Sequence, residues 1–474
     1  MEPESVVAGS AGVLPPSVVD TDGADEPRPA TSDGLFIVGS VVKEVTSDEK
    51  TDGIRNHIAS LLQVHNLVIL MGAGASFHLG SPHIRNLKNQ DILDLIADAG
   101  IEADESDGQL LQLLNPEERG DLEALLNNLQ LAQSFGEKLS SGSVKLGHKD
   151  VPIAHIRDLR KHLNAALAFA CQLPAPGTRT SSSYAIHKTF LSRLARARRE
   201  NLPRPKIFTT NYDLVIEQAL DELGYPYIDG FSGTVDRRLN MSVYGLDFHR
   251  VDSSSQAVVS RAENSFYLHK LHGSLNWRAS ELSQDSGSVE SIEVTQVQSL
   301  ASVSDGAVLI YPTSSKEGDT LSYPYTDLFR LLSTALQQPD TAVLTIGYGF
   351  WDAHINRILL GSLTMNPGMN LMIVDPGAVF GAKADLGRLD SSSRGVPVNG
   401  LGIALAAEQP VAEIAGIADS RIAVFTGPRA TFKNFAELLP DQSIFSQQIS
   451  PTALAQLIER LGQPAPITEG PADV

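Results

Sequence analysis

Residues 206–220 read KIFTTNYDLVIEQAL, and within them an amide and a carboxylate, Asn211 and Asp213, stand where an apolar run gives way to a helical pattern. Ile207 and Phe208 with the two threonines read as the end of a buried strand, while Leu214, Ile216, Ala219 and Leu220 recur at roughly helical spacing. The polar triplet, with Thr210 before it, therefore falls at a strand-to-helix junction. In an open α/β sheet the carboxyl ends of the strands border the ligand crevice, and amide and carboxylate groups there can hold a polar ligand. On this stretch alone a plain helix cap explains the residues equally well.

Three further stretches have the same form. HNLVILMGAGAS (65–76) is a continuous buried-strand run ending in a glycine-rich turn, a dinucleotide-type signal. Gly72 and Gly74, with Ala73 between them, let the chain turn sharply and bring backbone N–H groups close to a diphosphate, and Ser76 adds a hydroxyl at the following helix start. Phe77 occupies the place of the third glycine, and no Gly-Lys-Ser/Thr follows, which disfavours an ATP-type P-loop. A tight turn without a ligand is the plainer reading. In LHKLHGSLNW (268–277), His272 follows the strand and is positioned like a general base, whereas His269 lies inside it like a core residue. A metal pair of the two lacks a third ligand of comparable placement. In IGYGFWDAHINRI (346–358), Gly347 and Gly349 permit close backbone approach, and Asp352 either caps a helix or binds a ribose hydroxyl. IVDP (373–376) again ends a strand in an acid, Asp375, suited to an adenosine hydroxyl.

In combination these motifs resemble the sirtuin family: GAGAS (72–76), TTNYD (209–213) and the His-Gly pair at 272–273 match in order and spacing across roughly residues 60–380. HGSLNW and GYGFWDAHI look more narrowly like the bacterial sirtuin-like group found in anti-phage defence, whose domain destroys NAD+. The resemblance implies that Gly72, Ala73, Gly74 and Ser76 bind the NAD+ pyrophosphate, that Asn211 holds the nicotinamide ribose and a water, that Asp213 bonds the carboxamide, and that His272 is the catalytic base. Thr210, Gly347, Gly349, Asp352 and Asp375 complete the expected cofactor contacts. Three departures bear on the acceptor. The zinc-binding cysteines of sirtuin deacylases are missing, since Cys171 is the one cysteine; FHLGSPHIRNL follows GAGAS in place of Gly-Ile-Pro-Asp-Phe-Arg; and GYGFWD stands in place of Gly-Thr-Ser. These changes favour water as acceptor, hence an NAD+ glycohydrolase with NAD+ as substrate and no zinc. A deacylase, an ADP-ribosyltransferase, or a non-catalytic NAD+ or ADP-ribose sensor or scaffold are the alternatives. The resemblance also implies a triggered effector of abortive infection, a homo-oligomer, and a partner such as a HerA-type ATPase, an Argonaute-like protein or a phage-protein sensor.

The elements that must position these residues alternate. Buried strands are expected at FYLHKLHG (266–273), AVLIYP (307–312), AVLTIGYG (342–349), LMIVDP (371–376) and IAVFTG (422–427), with helical stretches between several of them. The fold class is therefore α/β and Rossmann-like, a largely parallel sheet with helices on both faces. A mainly helical block forms an inserted cap at about 91–200, in which 186–199 reads as a basic amphipathic helix. Segments 232–263 and 279–306 read as loops or a lid, and LFIVGSVV (35–42) as a tethered strand or an oligomer contact. Residues 1–33 are expected to be a disordered acidic tail, 34–440 the catalytic domain, and 441–474 a C-terminal helix and flexible tail. Whether one or two domains result is open at this level.

The totals narrow the classes further. Apolar residues make up 42% and charged residues 20% of 474, the balance of a globular protein with a sizeable core. A formal charge of −19 argues against general attraction to nucleic acid or to an anionic membrane. A single cysteine excludes an intramolecular disulfide and a multi-thiolate zinc site within one chain. With no signal-peptide pattern at the start and no long apolar run, a cytoplasmic location is expected.

Overall fold

The computed structural model describes residues 34–45, 51–81, 87–116, 122–199, 201–251, 259–281, 292–297, 307–309, 323–376, 380–381, 396–398, 403–405 and 410–441. The expected tail 1–33 and nearly all of 441–474 lie outside them. The strands that build the main sheet are β1 (Leu35–Val38), β2 (Val41–Glu44), β3 (Asn66–Met71), β4 (Lys206–Thr209), β5 (Tyr227–Ile228), β6 (Phe266–Lys270), β7 (Thr341–Ile346), β8 (Met369–Asp375) and β9 (Ile422–Thr426). Their order is β2-β1-β9-β8-β7-β3-β4-β6-β5. From β9 to β5 every pairing is parallel, and the β1–β2 hairpin closes one edge antiparallel to β9. The 35–42 patch is thus an edge hairpin with Leu35, Phe36 and Ile37 buried.

Strands covered on both faces favour apolar side chains at most positions, which is why NLVILM and TAVLTI carry no regular polar alternation. Their pleat divides the core in two. Leu67, Ile69 and Met71 of β3 face helices α1 (Asp52–Leu62), α6 (Ala185–Ala197), α7 (Val215–Leu223) and α11 (Phe432–Leu438). Val68 and Leu70 face α8 (Tyr325–Leu336), α9 (Ala353–Met365) and α10 (Pro410–Gly416). Each Leu or Ile so enclosed contributes about 1.5–3 kcal/mol of burial.

A separate apolar cluster joins α2 (Asn89–Asp98), α3 (Glu105–Leu114), α4 (Leu122–Lys138) and α5 (Ile153–Ala170), and it includes Tyr212 and Leu275 from the corners after β4 and β6. The helical cap is therefore packed directly on the strand tips. It ends earlier than expected: Phe190, Leu191 and Leu194 of α6 belong to the sheet's own core, so α6 covers the sheet instead of extending the cap to about 200. Two further differences concern the polar segments. Gly273–Glu281, Ile292–Gln296, Ala307–Leu309, Arg237–Leu239 and Phe231–Ser232 form a second, five-stranded sheet with antiparallel pairings. AVL (307–309) is thus an edge strand of that smaller sheet, not a strand of the main one, and part of 279–306 is strand instead of loop. Trp277 and Val294 bury their side chains in the α8–α9 layer, which accounts for the extra sheet's attachment.

Candidate active site

Chain order sets the location. The chain enters the parallel sheet at β3 and continues to β4, β5 and β6 on one side, then returns to β7, β8 and β9 on the other. The direction of winding reverses between β3 and β7, where a crevice opens at the carboxyl ends. In register, Met71 aligns with Ile346 and Thr209, Ile346 with Val374, and Thr209 with Lys270. Five consecutive tips therefore end level: Asp375, Gly347, Gly72, Thr210 and Leu271–His272. At about 4.8 Å per strand this row spans roughly 19 Å.

At the reversal two glycine loops interlock. The N–H groups of Gly72 and Gly74 donate to the carbonyl oxygens of Ile346 and Gly347, each at 3.0 Å. A Cβ on Gly72 would sit 2.6 Å from Gly347 O, and one on Gly347, at φ +60°, 2.3 Å from Ala75 N. The glycines therefore serve close backbone packing. Ala73 is exposed at the outer end of the turn.

Ser76 is the link between tips. Its Oγ donates to Asp213 Oδ2 at 2.9 Å and accepts from Asn211 Nδ2 at 3.2 Å. Asp213 Oδ1 also accepts from Val215 N at 3.1 Å, so this carboxylate, one residue before the Leu214 N-cap, bonds the first residue of α7 and Ser76 at once. The two readings of the triplet are compatible. Thr210 N donates to Met71 O at 3.1 Å and Asn211 N to Thr209 Oγ1 at 3.0 Å, which fix the turn. Asn211 is 8% exposed and its Oδ1 has no hydrogen-bond partner. A buried amide oxygen left without a donor costs about 1–3 kcal/mol, so a ligand donor has a place to bind.

The β6 corner lies against the β4 corner. Leu275 N donates to Tyr212 O at 3.0 Å, and the rings of Tyr212 and His272 are 6.4 Å apart. His272 Nε2 is 3.1 Å from Asp352 Oδ2, with side chains 4% and 6% exposed. Asp352 Oδ1 accepts from the N–H groups of His354 (2.9 Å) and Ile355 (3.2 Å), capping α9. Gly349, half-buried in the same loop, lies beside the Trp351 ring, and Asp375 is half-buried at the β8 tip.

His269 is a core residue, as its place inside the strand suggests. It stacks between Phe208 and Tyr244, with centroids 4.2 Å away on each side, and burial pulls its pKa down to about 3. Beneath the corner lies a pair that pattern reading did not single out. Lys270 Nζ donates to Asp213 O and is 3.1 Å from Glu217 Oε1, both side chains nearly enclosed. Burial raises the Glu217 pKa, and Lys270 partly offsets that. A lysine closing the apolar run FYLHK was the available signal, since a lysine is rarely buried without a partner.

Among known proteins, the family model described as a SIR2-like domain matches residues 205–390, a span that holds the 211–213, 272, 347–352 and 375 positions but starts after GAGAS. Of solved structures, a triple mutant of a Sir2 homologue in complex with 2'-O-acetyl ADP ribose is similar at 13% identity and a TM-score of 0.37, over 82% of this chain and 94% of that one. No curated protein matches. No helix among the described residues is long and apolar enough to cross a membrane. Residues 205–390 of the chain, and with them most of the strand-tip positions described above, are thus similar to a SIR2-like domain.

Proposed function

We propose that the protein is an NAD+ glycohydrolase. The observation that carries the proposal is the Ser76–Asn211–Asp213 hydrogen-bonded cluster, with Asn211 Oδ1 unpartnered, beside the corner that holds His272. In this reading the dinucleotide lies along the row of strand tips. Gly72, Ala73, Gly74 and Ser76 border its pyrophosphate, and Thr210, Gly347, Gly349 and Asp375 line the crevice on either side. Asn211 orients the nicotinamide ribose and the attacking water, and Asp213 holds the carboxamide.

Cleavage breaks the bond from C1' of the ribose to the pyridinium nitrogen, whose electron pair leaves with nicotinamide. The oxocarbenium-like centre is met by water, and a C1'–O bond forms. His272 takes the proton that water loses, giving ADP-ribose. The cap, seated on Tyr212 and Leu275, is placed to limit bulk water at the tips. A single cysteine leaves no multi-thiolate zinc site within the chain, which favours water over an acyl-lysine as the acceptor.

Unrestrained NAD+ loss would poison the host cell, so activity is gated, and a triggered defence effector assembled as a homo-oligomer or with a HerA-type ATPase or other defence partner is the biological form of the proposal. Chromatography of NAD+ incubated with the full chain tests the chemistry. Equal nicotinamide and ADP-ribose, unchanged by an acylated peptide, is the expected result. Nicotinamide release that requires the peptide would transfer the protein to the deacylases. Cellular NAD+ that stays level during phage infection would remove the defence role.

A further inference from the structure

The two carboxylate oxygens of Asp352 do different work. Oδ1 takes both backbone N–H bonds at the start of α9, the whole duty of an N-cap. Oδ2 is turned instead to the His272 imidazole, 3.1 Å away and almost fully buried. The pairing is not a consequence of neighbouring strands. In the sheet β7 and β6 are separated by β3 and β4, about 14 Å at ordinary strand spacing, and the 347–352 loop has to carry Asp352 back across that distance.

The loop is held on that course. Gly347 and Phe350 have φ of +60° and +57°, and a buried phenylalanine adopts such a conformation only when its surroundings impose it. They do so here: Asn356 Nδ2 donates to Phe350 O at 2.6 Å, and Tyr348 Oη donates to Asn356 Oδ1 at 2.8 Å. Capping α9 requires none of this.

We infer that Asp352 is a positioning residue for His272: it accepts the Nε2 proton, so that the basic lone pair lies on Nδ1, and it stabilises the imidazolium formed when His272 takes the proton from water. The inference rests on the NAD+-cleaving reading of the site. Around the imidazole stand the Tyr212 ring from the β4 corner, the Phe329 ring from α8 at 6.5 Å, and the Asp352 carboxylate from the β7 loop. On this inference Asp352 serves His272 in place of the expected ribose contact.

Asp352→Asn separates this role from capping, because asparagine caps helices as well as aspartate does and still offers an acceptor to Nε2, but carries no charge. Its kcat is expected to fall about 10- to 100-fold with KM little changed, and the acid limb of the pH–rate profile to move to lower pH because the imidazolium has lost its counter-charge. The thermal transition should stay within a few degrees. An unchanged kcat and pH profile would overturn the proposal.

A second measurement needs no turnover. In histidine-15N-labelled protein without NAD+, with the His272 resonance assigned by its loss in His272→Ala, wild type should show the Nε2–H tautomer and a higher titration midpoint than Asp352→Asn. Identical tautomer and midpoint in the two would reject Asp352 as the positioning group even if NAD+ is cleaved. A coupled titration together with nicotinamide release at the same rate from wild type and Asp352→Asn would instead reject the catalytic purpose while leaving the NAD+ reading in place.

Discussion

Two buried asparagines sit at opposite ends of neighbouring strands in the parallel sheet. Asn66 begins β3 and Asn211 follows β4. Asn66 has its donors on Ala335 O (2.7 Å) and Thr341 Oγ1 (2.9 Å), while its Oδ1 accepts from Lys206 Nζ at 2.8 Å. Asn211 gives one bond to Ser76 and leaves its oxygen unmatched. A cavity of about 290 Å³ opens at the amino ends, yet the cations on its wall are already engaged: Arg204 and Arg261 by Asp247, and Lys206 by Asn66. On the proposed reading, the comparison separates a polar group that finishes the fold from one left for a ligand.

The sharpest way to break the contrast is to remove the unsatisfied end. His272→Ala should lower NAD+ cleavage by about two to four orders of magnitude, and Asn211→Ala should abolish most of it, with folding intact in both. Near-normal NAD+ loss in the pair, read by chromatography, would end the site assignment. The interlocked glycines come next. Gly347→Ala forces a side chain into backbone at φ +60°, and the left-handed conformation alone costs about 1–2 kcal/mol before any clash with Ala75 is counted. Denaturant unfolding should show a loss at least that large; a stability equal to wild type would mean the two loops do not interlock.

The satisfied end should behave in the opposite sense. Asn66→Ala leaves Lys206 and Thr341 with fewer buried partners and should cost about 1–3 kcal/mol, while activity per folded molecule persists. Loss of activity without loss of stability would erase the distinction between the two ends. The smallest effect concerns acid. His269 stays neutral in the fold because burial lowers its pKa from 6.5 to about 3, whereas the unfolded chain takes up the proton near the ordinary value. Stability contributed by the neutral form is thus lost progressively as pH falls from about 6.5 towards 3. His269→Phe, which keeps the stack on Phe208 and Tyr244, should flatten that decline in denaturant midpoints measured across pH. An unchanged acid slope would show that His269 does not contribute to it.

The sequence displayed the central strands clearly, since NLVILM, TAVLTI and LMIVD are mainly apolar runs without alternation, as in strands of a doubly covered sheet. It also placed Asn211, Asp213 and His272 at strand ends. The second sheet was hidden because, although GSLNWRASE alternates as a half-covered strand does, several of its partners are only two or three residues long, and AVL reads alike in a central or an edge strand. The union of Asp352 with His272 was hidden for a different reason. It joins residues 80 apart through a loop whose path depends on Gly347 and Phe350 adopting positive φ, and neither spacing nor residue type encodes that destination. Lys270 was legible in principle, as a lysine closing an apolar strand.

The central claim is that the unsatisfied strand-tip corner cleaves NAD+. Its most direct test is release of radiolabelled nicotinamide from NAD+ by stoichiometric full-length protein, compared among wild type, Asn211→Ala and Asn66→Ala. Release by wild type and Asn66→Ala, at least about a hundredfold above that of Asn211→Ala, is the predicted result. Equal release by all three would contradict it.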